Sequence, residues 1–273
     1  MKIIRSFVAL ATLGVAILGG SLLQSDYAHA GTNQCTWTGA GGNNNWSTAA
    51  NWTCSVGTVP TTGYDIIFPY LGPAKTSNND LVATNVYTGL WFTGTLPNGY
   101  PASGPLYTLS GNQIRLADSG ISVTYISINN AVSITTAATI STSSANNVVY
   151  LNLYSGLNVG GALTLSSTQS EYIAITGDVS GSAAITSTGD NYVGWGAGTT
   201  YTGNITATAG NFGGNSMEKL TNQTTLTVQS GASHITCAGN GAVTYAYNLV
   251  LSGAPNANGF KLGTQPCAGA AMD

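Results

Sequence analysis

The sequence predicts an almost entirely β-stranded protein, folded as a right-handed parallel β-helix. Val, Ile, Thr and Tyr are abundant, and their side chains suit the pleated, half-buried surface of a strand. Short segments with an apolar residue at every second position recur along the chain from Tyr107 onward, which is the period of a strand with one buried face. Beyond the first thirty residues no stretch has the apolar period of a helix, so we expect essentially no helix.

The alternating segments are short and are separated by Gly, Asn or Ser. They lie at 120–128, 131–136, 157–159, 162–165, 172–176, 184–186, 204–208, 225–228 and 248–252. Hairpins would favour Asn-Gly or Asp-Gly in the breaks, and these pairs are nearly absent between the segments. Ile173, Ile185 and Ile205 open similar phrases, which indicates a repeat of roughly twenty residues. These features favour the β-helix, and a β-sandwich is the alternative.

The first thirty residues have the composition of a secretory signal peptide. Lys2 and Arg5 precede an apolar run at 7–23, and small residues flank His29 just before a cleavage point after Ala30. An uncleaved membrane anchor is the alternative, and the polar stretch 24–26 argues against it. We therefore expect export to the cell surface or the medium, with no membrane span after cleavage.

Three zones follow from the change in composition along the chain. Residues 1–30 are the expected signal peptide, and residues 31–106 form an N-terminal cap and irregular β region rich in Trp, Asn and Pro. Residues 107–273 carry the expected β-helix repeats. Within the second zone, 65–68 and 89–93 are predicted as strands.

The mature chain carries few charges. Removing the signal peptide leaves four basic residues against eight acidic ones. Charged residues make up 5% of the whole chain, whereas about a quarter is usual in a soluble domain. Binding of nucleic acid requires clustered Lys and Arg, so we expect no nucleic-acid partner.

Four cysteines, an even number, indicate two disulfides in an exported protein. Three connectivities are possible, and we favour the local pairs Cys35–Cys54 and Cys237–Cys267 because each closes a modest loop. No CxxC motif or paired His accompanies these cysteines, so we expect neither a zinc site nor another cofactor.

Several tryptophans are candidates for contact with sugars. Trp37, Trp46 and Trp52 lie in the N-terminal zone, and an aromatic face can stack on a sugar ring. A solenoid must also cover its open end, and large buried aromatics stabilise such a cap. We favour capping for Trp46 and Trp52 and keep the three residues as candidate glycan contacts.

Catalytic groups are sparse. Asp178 and Asp190 are the pair of carboxylates that adjacent strands could bring together for glycoside hydrolysis, but each follows a Gly in an ordinary corner sequence. His234 is the lone histidine after the signal peptide and is expected to be solvated, and Arg115 is the lone arginine there. We expect no catalytic site, and a polysaccharide lyase or hydrolase on the same fold is the alternative.

The segment 195–212 resembles the autotransporter-associated β-strand repeat, through Trp195-Gly-Ala-Gly-Thr-Thr-Tyr-Thr-Gly and the Gly-Asn-Phe that ends it. The Trp- and Asn-rich stretch 37–68 is similar to the opening of large bacterial surface β-helix proteins, and 247–253 resembles a phrase common in them. The resemblance implies a bacterial exported, passenger-like β-helix, often adhesive. No membrane barrel or anchor follows Asp273, so we expect a released protein or a piece of a longer one.

These observations together predict an exported bacterial surface or secreted protein with a structural or adhesive role. Rigid faces lined by Thr and Asn would offer many hydroxyls and amides for polyvalent contact. The expected partners are glycans or other surface proteins, and the low charge also favours self-association.

Overall fold

A computed structural model describes residues 33–69, 76–93, 107–123, 126–142, 149–167, 172–237, 244–253 and 260–263. Within these ranges the chain forms 22 β-strands and two short 3-10 turns, Ala49–Asn51 and Met217–Lys219. The predicted all-β class is confirmed. The expected signal peptide and the prolines of the second zone, as well as Cys267, lie outside the described residues.

The strands follow one another with short connections. They are β1 Asn33–Trp37, β2 Trp52–Cys54, β3 Tyr64–Pro69, β4 Thr76–Asn79, β5 Val86–Thr93, β6 Tyr107–Gly111, β7 Ile114–Val123, β8 Ile126–Ile128, β9 Val132–Ile134, β10 Ala138–Thr142, β11 Val149–Leu153, β12 Leu157–Val159, β13 Leu163–Ser166, β14 Tyr172–Gly177, β15 Val179–Gly181, β16 Ile185–Thr188, β17 Asp190–Trp195, β18 Ile205–Asn215, β19 Thr225–Gln229, β20 Ala232–Cys237, β21 Asn248–Ser252 and β22 Phe260–Gly263. Every alternating segment predicted from the sequence contains or overlaps one of these strands.

Strand pairing is parallel throughout the described residues, except that β1 pairs antiparallel with β2. Three ladders result. The first joins β1, β3, β5, β7, β10, β13, β16, β18, β19 and β21. The second joins the start of β7 to β9, β12 and β15. The third joins β4, β6, β8, β11, β14, β17, the end of β18, β20 and β22.

Register partners in neighbouring strands are separated by about one repeat of the sequence. Leu163 pairs with Ile185, and Ile185 pairs with Ile205, so the two steps are 22 and 20 residues long. All three side chains are buried, because alternate residues of each strand face the interior. The apolar side chains of successive strands therefore stack on one another to form the core, each contributing about 1.5–3 kcal/mol.

A disulfide and an aromatic cluster hold the N-terminal strands together. Cys35 and Cys54 are register partners in β1 and β2, and they form a disulfide, which confirms the first predicted pair. Such a bond is typical of proteins that fold in an oxidising compartment outside the cytoplasm. Trp37 and Trp52 follow as the next-but-one register pair, with ring centroids 4.9 Å apart.

The last strand of the first ladder is exposed. β21 pairs with β19, and its five residues are all solvent-exposed, including Leu249 and Leu251. The alternation in this segment predicts one buried face, so the prediction of a strand is confirmed whereas that of burial is wrong. Among the described residues, no helix has the length and apolar character needed to cross a membrane.

Candidate functional site

The three tryptophans considered as glycan contacts all lie in the interior. Trp37 is 1% exposed, Trp46 0% and Trp52 7%. Trp46 meets Trp52 edge to face at 5.4 Å, and Phe68 lies about 6 Å from all three rings. A ring covered in this way has no open face for a sugar. We therefore do not base glycan binding on these residues.

The polar edges of the indoles are also used internally. Trp46 Nε1 donates to Ser77 Oγ at 3.1 Å, and Trp52 Nε1 donates to the Trp46 carbonyl oxygen at 2.8 Å. Tyr87, Phe92 and Tyr107 extend the cluster toward the following strands. The geometry is that of a packed aromatic core at the N-terminal end of the described chain.

His234 is buried, so the expectation that it is solvated is wrong. Its side chain is 1% exposed and lies between Phe212 and Tyr247. Nδ1 is 3.1 Å from the Phe212 carbonyl oxygen, and Nε2 is 3.0 Å from the Tyr247 hydroxyl. Since a carbonyl only accepts, Nδ1 carries the hydrogen and Nε2 accepts from the tyrosine. Burial lowers the pKa of His234 to about 4, against a smaller opposing effect of the Phe212 carbonyl.

Asp178 and Asp190 brace different corners of the fold. Asp178 Oδ1 accepts from the Gly198 backbone N–H at 2.9 Å, twenty residues further along the chain. Asp190 Oδ1 accepts from the backbone and the side-chain amide of Asn211 at 2.7 and 2.8 Å. The first precedes β15 in the second ladder, and the second begins β17 in the third ladder. The structure thus gives each carboxylate a separate local task.

A column of five threonines runs along the outer face of the first ladder. Its members are register partners in successive strands: Thr139, Thr164, Thr186, Thr206 and Thr227. All five are partly exposed, and neighbouring strands of a sheet lie roughly 4.8 Å apart. In the described part of the chain, none of these hydroxyls hydrogen-bonds to another side chain or to the backbone.

Sequence reasoning had recognised Thr-lined faces but not this column. The signal was present as a repeated phrase in which Thr stands between two inward apolar residues, as in Ala138-Thr-Ile and Leu226-Thr-Val. The steps between successive members are unequal, from 20 to 25 residues, so the phrases do not align at one fixed period.

A lateral groove of about 560 Å³ crosses the second ladder. Its polar lining comes from Gln113, Arg115, Ser133, Ser155, Asn158, Asp178 and Ser180. Arg115, Ser133, Asn158 and Ser180 are register partners in β7, β9, β12 and β15. Single polar residues in strands are normal on an outer face, so the sequence alone gave no sign of this groove.

Among the described residues, no group of three or more His, Cys, Asp or Glu side chains could hold a metal ion. No family model, curated protein or solved structure matches this chain. The resemblance to the autotransporter-associated repeat therefore stays a prediction, and the function has to be argued from the geometry.

Proposed function

We propose that this protein is an exported bacterial surface or secreted protein, folded as a right-handed β-helix and acting as a multivalent adhesin for glycans. The three parallel ladders support the fold proposal, because partners about one repeat apart would be successive coils and each ladder one lateral face. The Cys35–Cys54 disulfide supports export.

The observation that carries the adhesive role is the threonine column. Five hydroxyls without internal partners stand in one line at the spacing of the strands, on strands held from below by buried apolar residues such as Leu165 and Ala207. A rigid array loses little conformational freedom on binding. A long ligand that contacts several members gains affinity from each additional contact without a new association step.

A glycan array combined with a turnover assay tests this proposal. The full chain, purified from an oxidising compartment, is expected to bind a subset of glycans and to leave them intact. Replacing Thr164, Thr186 and Thr206 together by Val removes three hydroxyls while conserving side-chain shape, and is expected to weaken binding at least about tenfold, at roughly 1 kcal/mol per lost hydrogen bond.

A matched control replaces three exposed threonines outside the column, Thr53, Thr61 and Thr84, by Val. This variant is expected to bind as the wild type does. Equal weakening in both variants, cleavage of any bound glycan, or no binding to any glycan would overturn the proposal.

A further inference from the structure

The groove across the second ladder has an oriented polar wall. Ser133 Oγ donates to Asn158 Oδ1 at 3.4 Å, and Asn158 Nδ2 donates to Ser180 Oγ at 3.1 Å. Beneath this row, Val132 and Leu157 are buried in the core. The wall is therefore fixed in place before any ligand arrives, which lowers the conformational cost of binding.

Arg115 stands at one end of this row as the register partner of Ser133. Its guanidinium forms no ion pair and no side-chain hydrogen bond with the described part of the chain. A guanidinium presents five donors in a planar fork that matches a carboxylate bidentately. The groove thus contains a strong anion-binding group whose donors are unused.

Asp178 is the acidic side chain that lines the groove. It lies at the far end, beside Ser180, and one of its oxygens already accepts from the Gly198 backbone. Ser180 is three strand spacings from Arg115 along the row, which amounts to roughly 14 Å at ~4.8 Å per strand. The two charges therefore mark opposite ends of an elongated site.

We propose that this groove binds an acidic polysaccharide, with a sugar carboxylate or sulfate on Arg115. The hydroxyls of the following sugars hydrogen-bond to Ser133, Asn158 and Ser180, and Asp178 accepts a hydroxyl proton at the other end. The open, elongated shape suits a chain that continues beyond the groove at both sides. The inference rests on the proposed adhesive function and adds a ligand class on a face separate from the threonine column.

The test compares binding of the full chain to polygalacturonate and to its fully methyl-esterified form, which has the same backbone without the charges. The wild type is expected to bind the acid and to bind the ester at least about tenfold more weakly, as expected for loss of charge-assisted hydrogen bonds. Arg115→Gln is expected to reduce binding of the acid to the level of the ester. Dextran sulfate in a parallel arm distinguishes a sulfated ligand from a carboxylated one.

Two further variants make the result specific. Lys219→Gln removes one positive charge from an exposed residue outside the groove and is expected to bind as the wild type does. Asn158→Asp conserves size but places a negative charge in the middle of the row, and it is expected to weaken binding of the acid as strongly as Arg115→Gln. Circular dichroism of each variant shows that the strands are retained.

The inference is overturned if Arg115→Gln binds polygalacturonate and dextran sulfate as the wild type does, or if neither polymer binds. In that case binding of neutral glycans that depends on the threonine column would leave the adhesive function standing. Loss of both kinds of binding would remove the two proposals together.

Discussion

The Nε2 atom of His234 accepts a hydrogen bond from the hydroxyl of Tyr247 at 3.0 Å, in a site where both side chains are buried. The opposite ring nitrogen donates to the Phe212 carbonyl oxygen at 3.1 Å. Both nitrogens are thus satisfied only while the imidazole is neutral. Burial also raises the pKa of Tyr247 to about 12, so this pair stays uncharged at neutral pH.

The first prediction concerns stability against pH. The pKa of His234 falls from about 6.5 in the unfolded chain to about 4 in the fold. The unfolded chain therefore binds the extra proton first, so this contribution to stability is fully present above pH 6.5 and is lost as the pH falls toward 4. At about 1.4 kcal/mol per pKa unit, the loss is about 3 kcal/mol. Urea unfolding at a series of pH values measures it.

The contribution of His234 is isolated by comparison with variants. In His234→Gln the decrease between pH 6.5 and 4 is expected to become smaller by about the amount that this histidine contributes. Tyr247→Phe should retain most of the pH dependence, because burial rather than the hydroxyl is the larger cause of the lowered pKa. Identical pH profiles for wild type and His234→Gln would contradict the prediction.

The second prediction concerns the aromatic cluster. Trp46→Ala is expected to lower the free energy of unfolding by about 3–5 kcal/mol, because it opens a cavity at a fully buried site. Ser77→Ala, which leaves the indole N–H without its partner, should cost about 1–3 kcal/mol. Tyr154→Ala is the control, since that ring is 62% exposed, and it should change stability by less than about 0.5 kcal/mol. Urea unfolding followed by circular dichroism measures all three.

The strands were predictable where the chain alternates apolar and polar residues, and not elsewhere. Thr76-Ser-Asn-Asn79 is a strand, β4, although it contains no apolar residue. It pairs with β6, and its Ser77 accepts a hydrogen bond from the Trp46 indole. These partners lie about thirty residues away in either direction, so no local pattern could announce them.

The candidate sites show the same limit. Sequence reasoning identified Thr-rich faces and noted Arg115 as an isolated cation, because both are visible in the composition. It expected a solvated His234, since the burial of that ring comes from Phe212 and Tyr247, which are 22 and 13 residues away. Which polar residues align across a ladder depends on the unequal lengths of the connections, and these are set by the corners rather than by a fixed repeat.

The third prediction concerns the disulfide. Cys35 and Cys54 are 19 residues apart, and closing a loop of about this size stabilises a protein by roughly 3 kcal/mol in the chain-entropy model. The double replacement of both cysteines by Ser is expected to lower the free energy of unfolding by about that amount. Peptide mapping without reduction should recover the two cysteines in one linked pair of peptides. A peptide that links Cys35 to Cys237 instead would contradict the structure.

The fourth prediction separates backbone strain from steric exclusion at two glycines. Gly210 and Gly231 have φ values of 71° and 85°, a region that side chains other than glycine rarely adopt. A Cβ at Gly231 would meet nothing within 4 Å, whereas a Cβ at Gly210 would lie 2.4 Å from the Gly189 carbonyl carbon in the neighbouring strand connection. Both alanine variants therefore incur the conformational cost, and only Gly210→Ala also forces two backbones apart.

Gly231→Ala is expected to lower the free energy of unfolding by about 1 kcal/mol, the cost of a left-handed conformation with a side chain. Gly210→Ala should lose about 1–3 kcal/mol more, as overpacking does where the neighbour is backbone that cannot rotate away. Urea unfolding of both variants under identical conditions gives the difference directly. Equal losses would mean that the connections at 189 and 210 do not approach as closely as the structure shows, because the clash is the part that the two sites do not share.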